Sequence, residues 1–325
     1  MAQNTANTQA FIEAEQYSQF ILENLHDGLL PDMWTRDVSD FGTGTTLNIK
    51  SVGTATIQEV FEEQPLTYNA IDTSTITLQI TDYVGDAWSI SDVLRQDGSQ
   101  IDTLHAMRGM ESTRALQEYF ETRMFAVANG AQADGDNDVN SVKHRFYAGD
   151  TGTALVMDIE DFAFMRFAFD KANVPQFARI AIVDPIVELT VNTISNLVNV
   201  SNNPHFEGIV NEGFAREHRF VKNIYGWDIW TSNRLPVATG DQANISMRDG
   251  TATAGGSGDI HNLFMCVASD QTKPIMRAWR QSPKVENDRN VQLKRDEFDV
   301  TARFGLGSQR IDSLGVIITS STLYA

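Results

Sequence analysis

At 325 residues, with 42% hydrophobic, 9% aromatic and 21% charged residues, the chain has an ordinary globular composition and length enough for a sizeable core. It holds no apolar stretch of the roughly 18 residues a membrane span needs, and MAQNTANTQAF is no secretion leader, so a soluble chain without a membrane partner is expected. A net charge of −18 disfavours broad contact with a phosphate backbone, because such binding draws on clustered lysine and arginine.

In chain order, residues 8–25 mix Phe11, Ile12, Phe20, Ile21, Leu22 and Leu25 with polar residues, a pattern that suits a short helix or arm docking on another surface. Past Pro31, glycine and threonine become common (FGTGTTLNIKSVGTATI) and strands are expected. The clearest is 75–81, where Ile76, Leu78 and Ile80 alternate with Thr77 and Gln79. With little between its β stretches to build a core, 41–81 reads as a two-stranded excursion that needs a partner surface.

A helical window follows at about 100–129, with Gly130 as its stop and Gly109 as a candidate bend. Ile101, Leu104 and Met107 form one apolar stripe, and Leu116, Phe120, Met124 and Val127 a second. About 30 residues at roughly 1.5 Å each give a rod of about 45 Å, long enough to be the beam of an elongated subunit.

After a polar loop at 130–143, Asp158 caps a helix carrying Ile159, Phe162 and Phe169, which must end before the turn at NVP. The strand ARIAIV comes next. Asp184 then caps a helix with Pro185 at its first position and Val187, Val191, Ile194 and Val198 as its stripe. Strands are expected around RFVKNIY and WDIWTS, a mobile loop at ATGDQANISMRDGTATAGGSGD, and a buried strand at LGVIIT. The lone Cys266, in LFMCVAS, suits core packing. Residues 273–310 hold nine basic against five acidic side chains, but the acids are interleaved and no aromatic stacking ladder runs among them. Complementarity to another protein surface is the expected use of that charge.

No catalytic, cofactor-binding or metal site emerges. DGDNDVN from Asp134 opens like a calcium loop but has Val139 where glycine should turn the chain and Arg145 where a bidentate glutamate belongs. GGSGD, with Gly255, Ser257 and Asp259, lacks the last glycine of a nucleophile elbow and the strand leading into it. GLGSQR at Gly305 has Arg310 at the third glycine position of a dinucleotide fingerprint and reads as a turn. The histidines (His26, His105, His144, His205, His218, His261) show no ligand spacing.

The ordered elements do carry a resemblance. An arm, an extended loop, a long helix and an α/β region follow one another as in the tailed-phage major capsid proteins of the Hong Kong 97 fold. ESTRALQEYFETRMFAVANGA looks like the end of that family's spine helix. FAFDKANVPQFARIAIVDPIV is similar to its helix, N-V-P turn, strand and proline-started helix. GFAREHRFVKNIYGWDIWTSNRLP resembles the segment in which a glycine turn (Gly226) precedes a strand ending in Ser232, Asn233 and Pro236, and GSQRIDSLGVIITS fits its close.

The resemblance implies an α+β capsid fold. Its parts are an N-terminal arm (1–40), an extended β loop (41–81), a peripheral domain (82–150) with the spine helix at about 100–129, an α/β axial domain (151–310) whose strands return to the peripheral domain, and a C-terminal strand (311–325). It implies a non-enzymatic subunit of hexamers and pentamers in an icosahedral virion head, assembled in the bacterial cytoplasm around double-stranded DNA, with only weak non-specific proximity to that DNA. A portal protein at one vertex and an optional decoration protein would be its partners. Fewer than a hundred residues precede the spine helix, so the scaffolding function is expected in a separate protein.

For inter-subunit contacts, Glu62 and Glu63 in the loop are matched with arginines such as Arg114 or Arg123 on a neighbouring spine helix. The founding member cross-links a loop lysine to an asparagine, and Lys50 is the only lysine before Lys143. A solvated strand position is the favoured reading of Lys50, and mature particles are expected to dissolve to a single monomer band. The competing functions are an encapsulin-like shell around a protein cargo and an acidic hydrolase with a site assembled from scattered residues.

Overall fold

The structure, a computed structural model, describes residues 32–39, 44–53, 57–63, 65, 68, 70–71, 73–98, 101–132, 138–149, 155–193, 223–239, 245–248, 250 and 256–321. The expected arm helix at 8–25 lies outside them, as do Asp134, Ile194, Val198, Gly255, His26, His205 and His218.

The elements run β1 (Arg36–Asp37), β2 (Thr46–Val52), β3 (Thr73–Gln79), β4 (Asp82–Ser91), α1 (Asp92–Asp97), α2 (Ile101–Ala131), β5 (Asp138–Val139), β6 (Val142–Lys143) and β7 (Arg145–Tyr147). There follow α3 (Ile159–Lys171), β8 (Arg179–Val183), α4 (Pro185–Thr193), β9 (Asn223–Ile224), β10 (Trp227–Thr231), β11 (Ile260–Cys266), β12 (Ile275–Asn290), β13 (Arg295–Ser308) and β14 (Leu314–Thr319).

A six-stranded sheet in the order β7-β14-β11-β8-β10-β9 forms the main core. Strands β8, β11 and β14 are buried at every position. That is why RIAIV and LGVIIT read as continuous apolar runs rather than alternations: both faces of the sheet are covered. Phe162, Met165 and Phe169 of α3 and Val187 and Val191 of α4 pack with Val183, Trp227, Phe264 and Ile317 in one apolar cluster. Met124, Phe125 and Ala128 of α2 pack with Ile180, Leu263, Val316 and Ile318 in another. Cys266 lies fully buried in the first cluster, free and without a disulfide.

The caps expected from sequence are present. The Asp158 carboxylate accepts from Asp161 N at 2.9 Å, and the Asp161 carboxylate accepts from Asp158 N at 2.9 Å, a reciprocal capping box. Asp184 Oδ2 accepts from Ile186 N at 2.9 Å, with Pro185 opening the helix. Arg179 fixes the N-V-P turn: its guanidinium donates to the carbonyls of Pro175 and Val174 (both 2.8 Å) and to Asp170 Oδ1 at 2.6 Å, and lies over the ring of Phe169.

The second sheet is four-stranded, in the order β1-β12-β13-β4. Its long hairpin, β12 and β13, falls within 273–310, where the residue pattern reads as interleaved charge rather than as strands. Pro283 and the charged residues mask the β pattern, and the register shifts between Gln281 and Lys284 show how the ladder accommodates that proline. The turn expected at GLGSQR is corrected: Gly305 and Gly307 are strand residues of β13. They are glycines because a Cβ on Gly305 would meet the backbone of Gln79 and Ile80, and one on Gly307 would meet Leu78.

Helix α2 joins the two sheets. Leu116 packs with Val300 and Ala302 of the hairpin, and Phe120 stacks on Trp279 at 5.1 Å, before Met124 and Phe125 reach the six-stranded core. The helix continues to Ala131, so Gly130 does not stop it, and it passes Gly109 without interruption. Leu104 is exposed, which corrects the first stripe. A largely polar seam runs between β4 and the helix. Asp86 accepts from Arg108 at 2.7 Å and from Ser112 at 2.5 Å, Trp88 Nε1 donates to His105 Nδ1 at 3.1 Å, and Asp82 pairs with Arg123 at 3.2 Å.

Candidate assembly surfaces

The excursion is exposed over most of its length. Strands β2 and β3 pair antiparallel from Thr46↔Gln79 to Val52↔Thr73. At their base, Leu47, Ile49, Ile76, Leu78 and Ile80 pack with Met276 and Ala278 of β12, and Ile80 N donates to Thr45 O at 2.8 Å. Beyond that base the described apolar residues are exposed: Ile57 is 95% exposed and Tyr68 99%, with Val52, Val60, Phe61 and Ile71 also exposed. An apolar tip of this kind marks a protein interaction surface when nothing within the subunit covers it.

The candidate contact residues fall around this feature. Glu62 and Glu63 lie exposed in a turn of the excursion, where Glu63 has a φ of 64°. Lys50 is exposed in β2 opposite Thr75, on the strand face away from Leu47 and Ile49. On α2, Arg123 is engaged within its own subunit by Asp82, whereas Arg114 is half-buried and has no ion-pair partner among the described residues. Sequence reasoning chose the acidic pair and passed over its apolar neighbours. The signal was present in IQEVFEEQPLTYNAI, an apolar-rich stretch with no core within reach.

A second exposed feature was also missed. At the turn joining β12 and β13, Val291 and Leu293 are exposed, as are Val93 and Leu94 of α1. The two pieces are clasped together: Arg289 chelates Asp92 (2.9 and 2.8 Å) and reaches Asp296 at 2.8 Å, Arg95 pairs with Asp296 at 2.6 Å, and Asp92 N donates to Lys294 O at 3.0 Å. Hydrogen bonds from Arg289 hold the Asp92 carboxyl below its ordinary range. Of the charge concentrated at 273–310, Arg289 and Asp296 serve to fix this tip.

Two buried ionic joints hold the connections in place. Arg234 Nε donates to Glu118 Oε1 at 2.9 Å, and its Nη1 lies 3.6 Å from Glu121 Oε2, while Ser232 Oγ donates to Glu121 Oε1 at 3.1 Å. This ties the segment after β10 to α2. Arg248 similarly meets Asp158, Glu160 and Asp161 at the start of α3. Burial pushes Asp161 up to about 7, against hydrogen bonds from the Asp158 and Gly149 amides and the charge of Arg248.

Among the described residues no group of histidine, cysteine, aspartate or glutamate has the geometry to hold a metal ion. His105 lies in the polar seam, and His144 and His261 are buried. Ser257 and Asp259 stand in a turn where Asp259 Oδ2 accepts from Gly256 N at 2.7 Å, a structural role for the GGSGD motif. No described helix is long and apolar enough to cross a membrane.

No protein-family model matches the chain, and no curated protein sequence matches it. Solved structures do. The capsid of cyanophage P-SCSP1u superposes with a TM-score of 0.72 at 15% identity, over 99% of this chain and 96% of that one. The mature capsid of bacteriophage PhiM1 gives 0.70 at 14% identity, over 99% and 97%. The capsid of cyanophage Pam1 gives 0.65 at 12% identity, over 96% and 98%. At such identities the likeness is one of fold, and it extends over nearly the whole of each chain.

Proposed function

We propose that this chain, whose fold is the Hong Kong 97 type that its sequence resembles, is the major capsid protein of a tailed bacteriophage. The observation that carries the reading is the nearly end-to-end likeness to phage capsid chains, and the uncovered apolar excursion supports it. The chain acts as a structural subunit, not as an enzyme. It forms hexamers and pentamers that close as an icosahedral head around double-stranded DNA, after assembly in the bacterial cytoplasm. An acidic subunit suits that task, since a shell that gripped phosphate tightly would hinder packing and release of the genome.

In this scheme residues 1–40 are the arm, 41–81 the extended loop, 82–150 the peripheral domain, 151–310 the axial domain with β12 and β13 returning to the peripheral sheet, and 311–325 the closing strand. A separate scaffolding protein guides closure, a portal occupies one vertex, and a decoration protein is an optional addition. Electron microscopy of the full chain, expressed alone and with the scaffolding gene beside it, tests this. Uniform icosahedral shells are expected with the scaffold. Monodisperse monomers under both conditions would overturn the assignment, and uniform shells without any partner would remove the scaffold from it.

The excursion is proposed to lie on a neighbouring subunit, its apolar tip covered there and Glu62 and Glu63 facing that neighbour's Arg114. Asp82 already engages Arg123, which makes Arg114 the stronger of the two candidates. An exposed pair contributes only about 0–1 kcal/mol, but symmetry repeats it throughout the shell. Reversing both charges (Glu62→Lys with Glu63→Lys) is expected to lower the shell's disruption temperature, and adding Arg114→Glu to recover part of the loss. Unchanged heat resistance would reject the pairing. Lys50, a solvated strand position, is expected to form no covalent link, so denatured particles should run as one monomer band.

A further inference from the structure

We infer that the layer between α2 and the six-stranded sheet contains a buried site for a small monovalent anion of the halide class, built on Arg145 and His261. Strand register places the two on one face of the sheet, on either side of β14. Arg145 of β7 pairs with Val316 of β14, which pairs with Leu263 of β11; two residues along, Tyr147 pairs with Ile318, which pairs with His261. Residues in register share a face, and alternate positions along a strand return to it. Val316, Ile318 and Leu263 are in the cluster packed with α2, so Arg145 and His261 stand on the covered face.

Both side chains are shut away from solvent, Arg145 at 3% exposure and His261 at 4%. Arg145 Nη1 donates to Asn129 Oδ1 of α2 at 2.8 Å, but among the described residues its Nε has no hydrogen-bond partner, and neither ring nitrogen of His261 has one. Among the described residues no carboxylate pairs with Arg145. Burial draws the Arg145 guanidinium down to about 10, which leaves it cationic at neutral pH. Burial, and then the nearby Arg145 charge, lower His261 to about 4, which leaves it neutral with one N–H to donate.

The unmet requirements at this place are therefore a positive charge and at least two donors. A water molecule would accept from the donors and leave the charge uncompensated. An anion answers both needs, and removing a guanidinium from water without a counter-charge is among the costliest burials in a core. The neighbouring side chains, Val316, Ile318 and Leu263, limit the occupant to one charge and small size, because a polyanion would be left largely desolvated against them.

Amide hydrogen exchange on the full chain, in sodium bromide and in sodium gluconate at equal ionic strength, tests the site. At about ten times its dissociation constant, a single-site anion shifts the opening equilibrium roughly tenfold. Exchange of the amides of residues 145–147 and 261–263 should slow by that order in bromide. Arg145→Met should abolish the difference and His261→Leu should reduce it; should the first variant fail to fold, the second carries the comparison. Crystals soaked in bromide should show an anomalous peak beside Arg145 Nε and His261. Equal exchange in the two salts, an ordered water without bromide at that position, or a bromide effect that survives intact in a folded variant would overturn the proposal.

Discussion

Replacing Arg234 by methionine is expected to cost about 3–5 kcal/mol of folding stability, the range observed when one partner is removed from a buried ion pair. The side chain sits between Glu118 and Glu121 of α2, and the Glu121 carboxylate is almost wholly buried. Methionine fills much of the volume but leaves that carboxylate without its cation, with the Ser232 hydroxyl at 3.1 Å as a remaining donor. The loss is expected as a lower urea midpoint with an unchanged slope, since the compactness of the native state is not the quantity altered. Adding Glu121→Gln removes the carboxylate charge that Arg234 had met, so the double variant should recover a large part of the loss, a coupling of at least about 1 kcal/mol in a double-mutant cycle. Shell yield should follow stability, because this joint fixes the angle between the long helix and the segment that follows β10.

How much of this was legible in the sequence depends on what each signal competes against. Caps and proline-started helices were read correctly at Asp158, Asp184 and Pro185 because the chemistry is local: a carboxylate and the amides it accepts from lie within three residues of each other. Strands β8 and β14 announced themselves as short apolar runs. The excursion strand at 75–81 was legible through alternation, within two residues of its observed bounds at Thr73–Gln79. What escaped was tertiary in origin. In β12 and β13 charged residues interrupt the apolar pattern and Pro283 sits at a register shift, so neither an apolar period nor a clean turn marks the hairpin. The N-terminal half of α2 looked apolar on one face, yet its contact with β4 is made by Asp86, Trp88, Ser112 and His105. The candidate contact residues Glu62, Glu63, Arg114 and Arg123 rest on charge alone. A contact between subunits is not encoded by spacing in a single chain's sequence.

Gly305→Ala is the substitution expected to act most directly on the excursion. A Cβ at that position would overlap the carbonyl of Gln79 and approach Ile80 Cα to 2.9 Å, and both neighbours are backbone, so no rotamer change can relieve the contact. Overpacking of this kind costs about 1–3 kcal/mol. Relief requires the end of β3 to lift from β13, which would loosen the packing of Leu78 and Ile80 on Met276 and Ala278. Faster amide exchange across Thr46–Val52 and Thr73–Gln79, with exchange in the six-stranded core unchanged, is the expected signature. Gly109→Ala is the matched control: it lies within the long helix with nothing inside 4 Å of the added carbon. Alanine there should stabilise by about 1 kcal/mol through helix propensity. If shell assembly depends on how the excursion is aimed at a neighbour, Gly305→Ala lowers the yield of closed particles while Gly109→Ala preserves it. Equal yields from the two variants would show that the base of the excursion tolerates displacement, and that its aim is set after contact with the neighbour.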